Sequence, residues 1–355
     1  MVTIGAIISV TGSSSSRGEV QKKSALLLQD LINNRGGIYG RKLKVVVYDD
    51  ESDVNTCLLA AEKMLYWEQV AAVIGPTTSG NTLAVSGIFE KARIPLLSLA
   101  GSEKIVNPLK RWVFKIPPSS RQAVMKTLNH ARSTGIRKIA MITSFSGTGQ
   151  EARAAVEQIA PGMGISLVAD ELLSRGERDV TPRLERIMVA GAQAILCWAS
   201  DIQASAVAKN MAELEIRIPL YAGPQAASKR FIALSGRAAE GALLPVERVT
   251  VFKQIGDGDP RKEPTFDYYR EYESRYKTPS PPPGAYVRDA IMIIEKAIRE
   301  KGSVFPADIR DSLEQMGSFA GLGGVYDYST GDHGGLDWRN FELVRVEKGR
   351  FKIVR

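Results

Sequence analysis

Short apolar strands alternate with helices from the first residues of this chain to Tyr221, and the series occurs twice, before and after the break Lys115-Ile116-Pro117-Pro118-Ser119-Ser120. Parallel strands need a crossover of a dozen or more residues between them, and a helix supplies it. The spacing therefore predicts parallel sheets covered on both faces. In the first series strands are predicted at 2–10, 43–48, 71–74, 94–97 and 112–114, with helices at 19–33, 54–67 and 82–91. The first helix carries Leu27, Leu28, Leu31 and Ile32 on one face and stops at Gly36-Gly37. The third takes Asn81 as its cap and turns Leu83, Val85, Ile88 and Phe89 to the sheet. In the second series helices at 121–134, 181–190, 202–214 and one ending at Ala160 alternate with strands at 138–143, 165–173, 194–198 and 220–221. From Leu244 the alternation fades. Helices are expected at 264–276, 286–301 and 306–316, with the proline run 279–284 as a stiff connection. Strands at 341–346 and 351–354 about Lys348-Gly349 read as a hairpin.

The strands end in small and hydroxyl-bearing turns. After the third strand come Gly75-Pro76-Thr77-Thr78-Ser79-Gly80, and after the fourth Ser98-Leu99-Ala100-Gly101-Ser102. Such turns leave backbone N–H groups and hydroxyls for an anion at a helix N-terminus, and open α/β sheets hold ligands outside the carboxyl ends of their strands. One turn of this kind reads as a helix cap; two in succession read as a site. The second series adds Ser144-Phe145-Ser146-Gly147-Thr148-Gly149, the strand end Trp198-Ala199-Ser200-Asp201, and Gly223-Pro224-Gln225. The turns of the first series thus offer Thr78, Ser79, Gly101 and Ser102 as candidate ligand-binding residues, and those of the second offer Phe145, Ser200 and Asp201 with Trp198 at a strand end.

Composition excludes several classes. The 355 residues suit about two domains, and no run of about 18 apolar residues could span a membrane. The net charge of +8 is scattered, with no basic arm or aromatic ladder for nucleic acid. Cys57 and Cys197 lie in different halves and read as two free thiols. His130 and His333 have no metal-ligand spacing, and Asp49-Asp50-Glu51-Ser52-Asp53 lacks that of a calcium loop and reads as a strand end with helix-capping aspartates. Gly147-Thr148-Gly149 is too short for a nucleotide fingerprint, so no cofactor, metal or catalytic group is expected.

The chain resembles the leucine/isoleucine/valine-binding group of solute-binding proteins that serve ABC transporters, the type I periplasmic binding fold. The resemblance covers nearly the whole length. It is carried by Ile4-Gly5, Thr11-Gly12 and Gly18, by Ile32-Asn33-Asn34-Arg35-Gly36-Gly37-Ile38-Tyr39-Gly40-Arg41-Lys42-Leu43, and by Tyr48-Asp49-Asp50, Val73-Ile74-Gly75 and Ile94-Pro95-Leu96-Leu97-Ser98. It implies two doubly wound parallel-sheet lobes joined by a three-crossover hinge near 116–119, 243–251 and 325–327. Lobe 1 would hold 1–117 and 249–325, and lobe 2 would hold 118–248 and 326–355.

It further implies a non-enzymatic protein that closes on a small ligand and delivers it to a membrane permease, with Ser79, Ala100 and Ser102 on the ligand's carboxylate. In the other lobe the family's acidic group for an ammonium is replaced by Gln225. Arg17 stands at an aromatic wall position and Thr148 at that of a tyrosine. These departures lean the expected ligand to an aromatic or branched oxo or hydroxy acid, with a branched-chain or other hydrophobic amino acid as the alternative, especially if Asp201 faces the cleft. A ligand-sensing receptor domain is the other class this fold serves. The chain opens at its first strand with no visible signal peptide, as a trimmed mature form would. An exported monomer, periplasmic or membrane-tethered, is the expectation.

Overall fold

The computed structural model describes residues 1–280 and 282–354; Pro281 of the proline run lies outside them. The chain divides into two units, Met1–Pro118 with Ile255–Leu336, and Ser119–Gln254 with Asp337–Arg355, so it passes from one to the other three times. The sequence reading drew the corresponding breaks after 117, 248 and 325.

In the first unit β1 (Val2–Ile8), β2 (Leu43–Asp49), β3 (Ala72–Ile74), β4 (Leu96–Ser98) and β5 (Val113–Lys115) form one parallel sheet in the order β2-β1-β3-β4-β5. The connections include α1 (Ser15–Asn34), α2 (Val54–Trp67) and α3 (Ser79–Ala92). Ile4, Ile7, Ile8, Val73, Ile74, Leu96 and Leu97 are all fully buried, which is why these strands read as continuous apolar runs rather than alternating ones. On α1, Leu27, Leu28 and Ile32 are buried, each contributing about 1.5–3 kcal/mol. That helix starts four residues earlier than predicted. Gly18 lets it approach the end of β1, because a Cβ there would stand 1.8 Å from the Ser9 carbonyl oxygen.

The start of α3 also differs from the reading. Its cap is Thr78, whose Oγ1 accepts the Asn81 amide at 3.3 Å, whereas the Asn81 side chain is buried and donates to Asp50 Oδ2 at 2.9 Å. Leu83 is 37% exposed and does not face the sheet.

In the second unit β6 (Lys138–Ser144), β7 (Ser166–Leu173), β8 (Ala194–Trp198), β9 (Leu220–Ala222) and β10 (Leu243–Glu247) are parallel, and β13 (Phe341–Glu347) with β14 (Arg350–Ile353) continue the sheet antiparallel, in the order β14-β13-β10-β9-β8-β6-β7. Lys348 and Gly349 both have positive φ, 51° and 68°, as a two-residue hairpin turn requires. Helices α4 (Ser120–Ser133), α5 (Gly147–Ile159), α6 (Thr181–Val189), α7 (Asp201–Glu213) and α8 (Lys229–Ser235) complete this unit; α8 and β10 have no counterpart in the sequence reading. The first unit is completed by α9 (Lys262–Tyr276), α10 (Pro282–Lys301), α11 (Pro306–Gln315) and the pair β11 (Phe319–Ala320) and β12 (Val325–Tyr326), with α10 packed against α1 and α11. Helix α10 begins at Pro282 rather than 286, since proline is tolerated in a first helical turn.

Candidate functional site

Each sheet has a point at which the chain reverses its direction of travel. In the first unit the chain goes from β1 to β2 on one side and returns to β3 on the other; in the second it goes from β6 to β7 and returns to β8. The loops leaving the two strands at such a point diverge, which opens a crevice at their carboxyl ends. Every candidate residue lies on a loop or helix start at the carboxyl end of a strand, or in the strand's last position.

In the first unit the turn after β3 divides its hydroxyls by task. Thr77 is fully buried, with Oγ1 accepting the Ser9 amide at 2.9 Å and donating to Gln21 Oε1 at 2.6 Å, so it braces the turn. Thr78 caps α3. Ser79, the first helical residue, is half-buried, and its hydroxyl has no hydrogen-bond partner among the described residues. After β4, Ser98 Oγ accepts the Ala100 amide at 3.1 Å and meets Thr82 Oγ1 at 3.0 Å. Ala100 thus offers its carbonyl, an acceptor, and not the N–H that a carboxylate would need. Gly101 makes room: a Cβ there would stand 2.6 Å from the Pro118 carbonyl oxygen. Ser102 is buried and caps a short 3-10 turn, its Oγ accepting the Lys104 amide at 3.3 Å. Arg17 sits in the first turn of α1, exposed, and not in a loop.

The acidic cluster after β2 is structural. Burial works against the Asp49 carboxylate, yet hydrogen bonds from Glu51, Thr11 and Val10 outweigh it and hold it below the usual range. Asp53 caps α2 through the Thr56 amide at 2.9 Å. No group of three or more potential metal ligands occurs among the described residues. Cys57 and Cys197 are buried free thiols, the second pushed up to about 12 by burial.

In the second unit, Phe145, Thr148, Ser200, Asp201 and Gln225 line one recess of about 450 Å³ at the reversal point. Phe145 is 73% exposed there and presents an apolar face to solvent. A hydroxyl chain runs from Ser144 Oγ to Ser146 Oγ at 2.9 Å and on to Thr148 Oγ1 at 3.2 Å. Ser200 caps α7, accepting the Gln203 amide at 3.3 Å. Asp201 Oδ2 accepts from Ser228 Oγ at 3.2 Å and Oδ1 from the Ile202 amide at 2.8 Å, with no cation within ion-pair distance among the described residues. Gln225 is exposed. Trp198 does not line the recess: its ring is 1% exposed within the core, and an added Cβ on Gly223 would stand 2.9 Å from it.

The recess also holds Arg175, which the sequence reading passed over. Its loop is pinned. The Ser174 amide donates to Glu177 Oε2 at 2.7 Å, Gln203 Nε2 donates to the Ser174 carbonyl at 3.1 Å, and Arg183 Nε holds Glu177 Oε1 at 2.8 Å. The Arg183 contact keeps the Glu177 carboxyl below its usual range. Arg175 itself is exposed and makes no ion pair among the described residues, so the recess presents a carboxylate, a guanidinium, an amide, hydroxyls and one aromatic face.

Two reversed α/β sheets with ligand-type groups at their carboxyl ends have the form of binding crevices, and comparison with known proteins assigns the family. The model of the periplasmic binding protein family matches residues 1–350, and the chain belongs to that family. Among curated relatives, the leucine-, isoleucine-, valine-, threonine-, and alanine-binding protein of Pseudomonas aeruginosa is 24% identical over 86% of this chain and 79% of its own. The structure of an extracellular ligand-binding receptor from Rhodopseudomonas palustris HaA2 matches with a TM-score of 0.82 at 24% identity, covering 99% of each chain. That of a branched-chain amino acid transporter substrate binding protein from Streptococcus pneumoniae, in complex with isoleucine, matches with a TM-score of 0.77 at 20% identity, covering 100% of this chain and 99% of its own. These relatives are named for ligand binding and transport. No helix among the described residues is long and apolar enough to cross a membrane.

Proposed function

We infer that this protein captures a hydrophobic amino acid outside the cytoplasm and hands it to the permease of an ABC transporter. The observation that carries the reading is Asp201, a carboxylate in the recess of the second unit that meets a hydroxyl and an amide but no cation. A carboxylate left in this state suits an ammonium group, and Phe145 beside it suits an apolar side chain. In the first unit, Ser79 starts a helix and Ser102 a short turn, each with its backbone amide, and such starts suit a carboxylate. The leucine, isoleucine and valine named for the Pseudomonas relative point the same way.

The sequence reading leaned instead to an oxo or hydroxy acid because Gln225 stands where an acidic group was expected. Asp201 in the recess supplies such a group, and its place weighs the reading back to an amino acid. Gln225 still supports the acid as the second reading, because a neutral amide can serve a carbonyl or hydroxyl. A thermal-shift panel of leucine, isoleucine, valine and their 2-oxo acids separates them: stabilisation by an amino acid is expected, and stabilisation by the oxo acids alone would overturn the reading.

A further inference from the structure

A second recess, of about 420 Å³, lies at the opposite edge of the same sheet, where β9 and β10 begin. Its floor is apolar, with Met211 and Leu243 buried and Ile216 and Ile218 half-buried. Its rim carries three exposed guanidinium groups, Arg217, Arg237 and Arg345. Arg217 and Arg237 have no ion-pair partner among the described residues, and Arg345 reaches Glu347 only at 3.9 Å. The one carboxylate in the lining, Glu240, is engaged by the amides of Lys348 and Gly349 at 2.9 and 2.8 Å.

The charge around it is as uneven. The second unit holds 23 Lys and Arg against 15 Asp and Glu, and the first holds 24 of each, so the whole net charge of +8 falls on the unit that carries this groove. An excess confined to one unit marks an anionic partner.

We propose that this groove docks an acidic segment of a partner protein, its carboxylates on the three arginines and an aliphatic side chain on the floor. Guanidinium forks match carboxylates in paired geometry, and a concave apolar floor admits a side chain that a flat bilayer surface cannot send into it. The site lies at the amino ends of the strands, away from the recess of Asp201, and does not depend on the ligand assigned there.

The probe is a fluorescein-labelled ten-residue peptide of alternating Glu and Leu, read by anisotropy at low salt, beside a Lys and Leu peptide of the same length and phosphatidylglycerol vesicles. The acidic peptide should bind, weaken with added salt, and bind at least about tenfold more weakly to Arg217→Ala/Arg237→Ala. The Arg217→Lys/Arg237→Lys protein, which keeps the charge, should fall between. Thermal midpoints of the variants within a few degrees of the native protein's show that the fold is kept. Equal binding by the alanine variant, equal binding of the basic peptide, or vesicle binding that needs these arginines while the peptide does not bind would each overturn the proposal.

Discussion

The Ser228 hydroxyl donates to Asp201 Oδ2 at 3.2 Å while accepting the Phe231 amide at 3.0 Å, so one side chain both caps α8 and steers the carboxylate that faces the recess. Ser228→Ala should therefore cost about 1 kcal/mol of cap and lower the melting temperature by a few degrees. Asp201 keeps its place at the start of α7, and ligand affinity should change by no more than a few-fold. A loss of affinity without a loss of stability would contradict this division.

Ser79 and Ser102 should separate in the same way. Ser79 has no partner to lose, so Ser79→Ala should weaken ligand binding at unchanged melting temperature. Ser102→Ala removes a cap as well and should lower both. Each charge-assisted hydrogen bond is worth about 1.5–3 kcal/mol, so the double variant should bind at least about tenfold more weakly by calorimetry. An unchanged dissociation constant would remove these two turns from the site.

Gly101 serves space. A methyl group 2.6 Å from the Pro118 carbonyl oxygen cannot be accommodated without moving backbone. Gly101→Ala should destabilise the protein by about 1–3 kcal/mol in denaturant titration. Native stability in that variant would show that the turn yields freely.

His130 gives the pH dependence a sign. Its Nδ1 meets Tyr221 Oη at 2.8 Å, and burial, with Arg345 and Lys126 adding to it, holds its pKa below the ordinary 6.5. The folded state thus disfavours the imidazolium. The stability this contributes is present above pH 6.5 and is lost as the pH falls from there through the folded-state value. Melting temperatures between pH 7.5 and about 5 should fall for the native protein and fall less for His130→Gln; parallel curves would count against it.

The architecture was legible because helix and strand periods alternate with strong apolar contrast: α2 and β8 were read at their exact bounds. Strand β10 was missed because Pro245 interrupts it, and its pairing of Leu243 with Arg345 and Val246 with Glu342 is long-range, beyond any local pattern. The hydroxyl-rich turns were visible, but their division into braces, caps and unpartnered groups was not: Thr77, Thr78 and Ser79 look alike in sequence and differ only in what folds against them. Trp198 was misjudged because both faces of a central parallel strand are apolar, so alternation does not say which side chain reaches a strand-end loop. Arg175 left no signal, since its loop is pinned by Glu177 and by the distant Gln203.

The central claim is that an ammonium group is held at Asp201. Calorimetric titration with leucine of the native protein and of Asp201→Asn tests it most directly, because the substitution keeps shape and removes only the charge. The account expects the native protein to bind leucine and the variant to bind it at least about tenfold more weakly. Leucine bound equally by both would contradict it.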